Sequence, residues 1–306
     1  MAGQTDVRAG MAARVNGAIR HPRRTARRLR LRARLLFLRT RNRFSGRPVT
    51  GSADVVVSMT SYGHRMSTVF AAIESIARGT VRPARMVLWI SEDDAWNDPP
   101  VELVRLQRRG LELRRTEDYG PHKKQYPYAR SFEAGDRRLA VADDDVFYPR
   151  DWLAGLIDAA GRHPDEVQGY RAHRIAITGS DAIAPYATWT PAPSDIGSFA
   201  IMCTGLGGII YPASLVAALR TAGERFRDVA PRADDVWVHA ISVESGIRTR
   251  QIPARWRDLD PIPGSQIGTL YFQNVRRGGN DAQITTAYSP AAVGRIVADA
   301  RLMDAP

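Results

Sequence analysis

A single cysteine, Cys203, stands in 306 residues, so no intrachain disulfide can hold the fold and nothing in it depends on an oxidising compartment. No partner base flanks Cys203, which reads as a small buried hydrophobe rather than a nucleophile. Long apolar runs are missing from the N-terminal region: Leu35-Leu36-Phe37-Leu38 is too short for a signal-peptide core or for a span of about 20 residues. No export is expected. Acids are almost missing from residues 1–48, which hold 14 arginines against Asp6 alone, a formal +13. The remaining residues, 49–306, carry 30 basic and 31 acidic side chains, so the formal +12 of the chain belongs to one extension. A neutral body argues against specific nucleic-acid binding. No repeat recurs, and the G-x-G-x-x-G spacing of a dinucleotide site is absent from Thr204–Pro212.

What is present suits one folded domain over 49–306, since 44% hydrophobic residues supply a substantial core. Ahead of it, residues 20–47 alternate arginine clusters with leucines. On a helix Leu31, Leu35 and Leu38 share a face, while Leu29 and Leu36 lie nearly opposite. Such a basic helix suits an anionic membrane surface. The expectation is a cytoplasmic protein held peripherally on the inner face of the cell membrane, against the alternatives of a solvated extension or a nucleic-acid contact.

The body alternates regularly. Asp54–Thr60 is a β-branched run that reads as a buried parallel strand. Val69, Ile73, Ile76 and Ala77 recur at helical spacing, and Arg78-Gly79 ends that helix. Met86–Ile90 is a second strand, Pro99-Pro100 opens a helix stopped at Gly110, and Leu111–Arg115 is a third strand. This order predicts a doubly wound, mostly parallel α/β sheet with helices on both faces. After Arg250 the pattern reads as irregular.

A fourth strand, Leu139–Ala142, delivers Asp143, Asp144 and Asp145 to its C-terminal end. Three adjacent carboxylates repel one another unless a cation or a set of donors offsets them. In open α/β sheets ligands sit outside the carboxyl ends of strands. Two loops should open on the same crevice: Ser61-Tyr62-Gly63-His64-Arg65, and Asp118–Lys124 with two ammonium groups. A second acidic pair, Asp234-Asp235, begins a later helix, where a capping role competes with a chemical one. Together these groups suit a metal-bound diphosphate: Mg²⁺ or Mn²⁺ on carboxylates and phosphates, Lys123 or Lys124 for added charge, and Asp234 or Asp235 to deprotonate a hydroxyl.

The segments Val141–Pro149, Asp118–Lys124, Gly205–Pro212 and Ala233–Asp235 resemble glycosyltransferases of the GT-A (Rossmann-like) fold, most like bacterial inverting enzymes related to family two. The resemblance implies that Asp143 and Asp145 form the D-x-D pair, with Asp145 the metal ligand of choice and Asp144 sharing the task. It implies that Thr60, Ser61, Tyr62 and Arg65 hold nucleobase and ribose, with Glu92 or Asp93 at another base-contacting position. Gly207 and Gly208 would border the acceptor, and Asp235, or Asp234, would be the catalytic base. His239, one turn after Asp235, is a further candidate metal ligand. The implied partners are a nucleotide-sugar donor and a glycan or lipid-linked saccharide acceptor. A sugar nucleotidyltransferase, or a non-catalytic membrane-attached binding protein of the same fold, is the alternative.

Overall fold

The structure is a computed structural model that describes residues 22–131, 137–179, 181–194, 196–253, 259–265 and 279–304. It opens with helix α1 (Pro22–Phe44), followed by β1 (Ala53–Thr60), α2 (Val69–Ala77), β2 (Pro83–Ile90), α3 (Asp93–Asn97), α4 (Val101–Gln107) and β3 (Leu111–Arg115). Next come α5 (Tyr126–Arg130), β4 (Arg138–Val141), β5 (Val146–Phe147), α6 (Trp152–Arg162), β6 (Val167–Gly169) and β7 (Ala172–Arg174). Then follow β8 (Thr190–Pro191), β9 (Gly197–Ser198), β10 (Ile201–Cys203), β11 (Ile209–Tyr211), α7 (Ala213–Ala222), α8 (Phe226–Val229) and α9 (Asp234–Glu244). The chain closes with β12 (Thr249–Gln251), β13 (Asp260–Pro261), α10 (Gly279–Ala287) and α11 (Pro290–Asp304).

Eight strands form one sheet in the order β3-β2-β1-β4-β11-β6-β12-β9. From β3 to β4 every pairing is parallel. Strand β11 then runs antiparallel to both β4 and β6, and β12 returns parallel to β6. The α/β sheet expected from the sequence is therefore present, with an antiparallel strand inserted beside β4.

The parallel half is buried on both faces, and the alternation of side chains along a strand divides it between two cores. Val55, Val57 and Met59 join Met86, Leu88 and Ile90 on one face, while Val56 joins Val87, Leu139 and Val141 on the other. Each such apolar side chain, fully buried, contributes about 1.5–3 kcal/mol. Apolar residues of α2, α4 and α6 belong to the first core; those of α7, α9, α10 and α11 belong to the second. This layering holds the C-terminal ends of β1 and β4 rigidly side by side.

Helix α1 is built into the first core. Leu31 and Leu38 are buried in it, and Asn42 donates to the Glu102 carbonyl at 3.0 Å. Arg41 reaches the fully buried Glu74 at 3.1 Å, and Arg109 pairs with the same carboxylate. Farther up the helix Arg34 donates to the Tyr148 carbonyl at 3.1 Å and covers the Phe147 ring, while Arg27 and Arg30 both pair with Asp260. The division at residue 48 marks a change of composition that packing does not follow.

The irregular stretch expected after Arg250 is corrected over 279–304, which holds two helices. Their buried sides use small residues: Ala292, Ile296 and Ala300 lie one turn apart on α11. Alanine at two of the four buried positions of α11 weakens the apolar periodicity that marks a helix in sequence.

Candidate active site

A cleft of about 890 Å³ opens at the C-terminal ends of β1, β2 and β4. It brings together Thr60, Tyr62, Arg65, Glu92, Lys123, Lys124, Asp143, Asp144, Asp145, Asp234 and Asp235. These residues come from segments as far apart as 60 and 235. Of the other sequence candidates, Ser61 lies beneath the lining, and Asp93, Gly207, Gly208 and His239 stand outside it.

The Asp triplet is met by cations and donors from two sides. Asp144 is buried and satisfied: Ser61 Oγ donates to one carboxylate oxygen at 2.6 Å and Arg65 Nη1 to the other at 2.9 Å. Arg65 also reaches Asp145 at 3.3 Å. Lys124 Nζ lies 2.7 Å from Asp143. Behind the triplet, the Asp143 N–H donates to the Tyr148 hydroxyl at 2.6 Å, and the Asp145 carbonyl accepts from the Ile262 N–H at 2.8 Å. Burial, followed by the neighbouring Asp143 charge, pushes Asp145 up to about 6. Arg65 opposes that rise without cancelling it.

Gly63, at φ 54°, lets the β1 loop turn so that its N–H donates to the Glu92 carboxylate at 3.0 and 3.1 Å. Thr60 Oγ1 donates to the Trp89 carbonyl at 3.1 Å, pinning the end of β1 to β2. Tyr62, with 37% of its surface exposed, stands at the mouth. Asp93 instead pairs with Arg115 on the exterior.

The two lysines divide. Lys123 is buried and donates to Ser91 Oγ at 2.6 Å and to Asp118 at 2.7 Å, so it joins the loops after β2 and β3. Lys124 points between the acid groups, 2.7 Å from Asp143 and 3.6 Å from Asp234. Burial alone would lower its pKa, but Asp143, Asp234 and Asp235 together raise it well above the ordinary lysine value. It is a fixed ammonium.

Asp235 sits at the first turn of α9, with both carboxylate oxygens accepting from the Gly205 N–H at 3.0 and 3.1 Å. Burial, then the adjacent Asp234 charge, lifts it to about 7, against the pull of Lys124. A carboxylate so placed exchanges protons near neutral pH, as a general base requires. Gly205 is the meeting point of both acid groups: a Cβ there would lie 3.1 Å from Lys124 Nζ, 3.5 Å from Asp235 and 3.6 Å from Asp143.

Neighbouring glycines serve another purpose. A Cβ on Gly208 would come within 2.6 Å of the Trp152 ring, and Trp152 Nε1 donates to the Gly207 carbonyl at 2.7 Å. Both have positive φ, 104° and 95°, and turn the chain into β11 behind the cleft wall. His239 is enclosed in the second core, 2.7 Å from the Tyr288 hydroxyl, and burial lowers its pKa to about 4. One helical turn after Asp235 carries its ring away from the cleft.

Several lining residues went unrecognised in the sequence: Arg171, His173, Tyr186, Trp189 and Asn280. Arg171 and His173 flank Ala172 around the start of β7. Tyr186 and Trp189 stack at a tilt, 4.9 Å between ring centres. Their three-residue spacing was the available signal.

Asp143 and Asp145 offer hard oxygen donors side by side at the cleft, and burial together with the Asp143 charge raises Asp145 despite Arg65, a donor set that suits Mg²⁺ or Mn²⁺. Among the described residues no three carboxylate, imidazole or thiol groups converge to hold a cation. Substrate phosphates and water would complete the shell, as they commonly do for Mg²⁺.

No family model matches the chain, and no curated protein matches it. Among solved structures it is similar to the mannosyltransferase PcManGT from Pyrobaculum calidifontis in complex with GDP-Man and Mn²⁺, at TM-score 0.49 and 15% identity over 90% of this chain and 79% of that one. It is also similar to S. aureus TarS 1–349, at TM-score 0.40 and 12% identity over 66% of this chain and 59% of that one.

Proposed function

We propose that the protein is a GT-A, family-two-like glycosyltransferase that moves a sugar from a nucleotide-sugar donor to a hydroxyl of a cell-surface glycan or lipid-linked saccharide, with inversion. The observation that carries this reading is the convergence of Asp143, Lys124 and Asp235 around Gly205. It pairs a cation-seeking acid group with a neutral-range base across one gap.

In this reading Thr60, Tyr62, Arg65 and Glu92 receive the nucleoside end of the donor. Asp145 and Asp143 hold Mn²⁺ or Mg²⁺, which when bound neutralises diphosphate charge. Lys124 adds a fixed ammonium beside the leaving group. Asp235 takes the acceptor hydroxyl proton while that oxygen attacks the anomeric carbon. The bond from that carbon to the diphosphate oxygen breaks, and the electron pair leaves with the nucleoside diphosphate. Attack opposite the leaving group inverts the centre. The work is set in the cytoplasm, at the membrane.

A thermal-shift panel of nucleoside diphosphates and nucleotide sugars, with and without Mn²⁺, tests the donor assignment. One nucleoside diphosphate and its sugar should stabilise the protein in a Mn²⁺-dependent way, by about 2.7 kcal/mol at a hundred times Kd. Slow hydrolysis should release nucleoside diphosphate. Release of pyrophosphate from a nucleoside triphosphate and a sugar phosphate would instead identify a nucleotidyltransferase, and no stabilisation by any nucleotide would sink both.

A further inference from the structure

Independently of the cleft, we infer that the outward face of α1 is a docking surface for an anionic lipid bilayer. The helix has two apolar arcs. Leu31 and Leu38 form the inner one, buried in the first core. Leu29, Leu36, Phe37 and Phe44 lie on the outer side with 61, 66, 52 and 75% of their surface exposed, half of the eight large apolar side chains exposed among the described residues. At about 100° per residue, Leu29, Ala33, Phe37, Thr40 and Phe44 fall within about 100° of Leu36, whereas Leu38 lies about 160° from it. A continuous exposed stripe of this kind marks an interaction site rather than scattered surface leucines.

Charge selects the occupant. Arg24, Arg28, Arg32 and Arg43 run down one border of the stripe and Arg23 stands on the other, all exposed and without an ion pair to the described residues. Other arginines of α1 are paired: Arg27 and Arg30 with Asp260, Arg39 with Glu102 and Arg41 with Glu74. No acid occurs anywhere in α1. Apolar side chains between unpaired guanidinium groups suit lipid tails beneath anionic headgroups, with the helix lying in the interface plane. No described helix is long and apolar enough to cross a membrane. The sequence suggested such attachment through residues 20–47 without choosing between the two leucine faces; the structure assigns the face of Leu29 and Leu36.

The test uses the full chain and vesicles of phosphatidylcholine, alone or mixed with phosphatidylglycerol. The protein should sediment with the anionic vesicles only, and high salt should release it. The double change Leu29→Glu and Leu36→Glu should weaken binding at least tenfold, and Arg28→Gln, Arg32→Gln and Arg43→Gln about fivefold each. These positions are exposed, so the melting temperature and the nucleotide-dependent shift should persist. Because Cys203 is buried, a polarity-sensitive dye on Leu36→Cys should shift to the blue with anionic vesicles, while the same dye on Thr221→Cys, exposed on α7, should not. Unaltered vesicle binding by the double variant would overturn the inference. So would a self-associated wild type that the same double change converts to monomer without altering vesicle binding, since the stripe would then be covered by a second copy.

Discussion

The two acid groups of the cleft differ in how their charge is held. Asp144 has a donor for each oxygen, and Arg65 and Lys124 attend its neighbours. Asp235 has one backbone N–H and a shared lysine, and it rises to about 7. Burial raises both carboxyls, and what differs is the opposition: at Asp144 Ser61 and Arg65 supply a donor to each oxygen, whereas at Asp235 a single backbone N–H and the shared Lys124 do so. That contrast, more than the presence of five aspartates, supports dividing the work into donor holding and proton removal.

Exchanging carboxylate for amide should break the contrast most sharply. Asp235→Asn should lower transfer by about 10² to 10⁴ in kcat, the usual contribution of a general base, while nucleotide binding persists in a thermal shift. Asp145→Asn should do the reverse at the binding step. Calorimetry should show Mn²⁺-dependent nucleotide affinity falling by more than about tenfold, the lower end for losing even a supporting contact at a metal site. Equal Mn²⁺-dependent affinity in wild type and Asp145→Asn would remove the metal assignment.

Lys124→Met should act on both groups at once. Without the ammonium, Asp143 and Asp235 lose a shared counter-ion, so the acid limb of the pH–rate profile should move to higher pH. Stability should fall by about 1–3 kcal/mol, the cost of leaving buried polar partners unmatched. A profile that stays in place would show that Lys124 does not tune the base.

The smallest effect is in stability against pH. Asp235 and Asp145 have folded-state pKa values raised above those of an unfolded chain, so the folded form binds more protons between the two values. Their contribution is fully present below about pH 4, the ordinary aspartate value, and is lost as pH rises through about 6 for Asp145 and about 7 for Asp235. Melting temperatures measured from pH 5 to 8 should therefore decline less in Asp235→Asn than in the wild type.

Much of this was legible in the chain. Strands β1, β2 and β4 announced themselves through runs such as Val55-Val56-Val57, because a strand covered on both faces is apolar along most of its length, whereas the edge strand β3 alternates Leu with charged residues. The direction of β11 was not legible: Ile209–Tyr211 has the same composition whether it runs up or down the sheet, yet its antiparallel course is what brings Gly205 against Asp235. Arg171, Tyr186 and Trp189 reach the cleft only through long-range chain folding. For α1 the sequence held two apolar arcs, and only the contacts of Leu31 and Leu38 reveal which one the domain takes.

The bond from Arg34 to the Tyr148 carbonyl joins that helix to the residue whose hydroxyl accepts from the Asp143 N–H. One arginine side chain, one tyrosine and two hydrogen bonds thus separate the backbone of α1 from the acid triplet. Whatever factor by which a surface under α1 changes the hold on nucleotide, nucleotide must change the hold on that surface by the same factor.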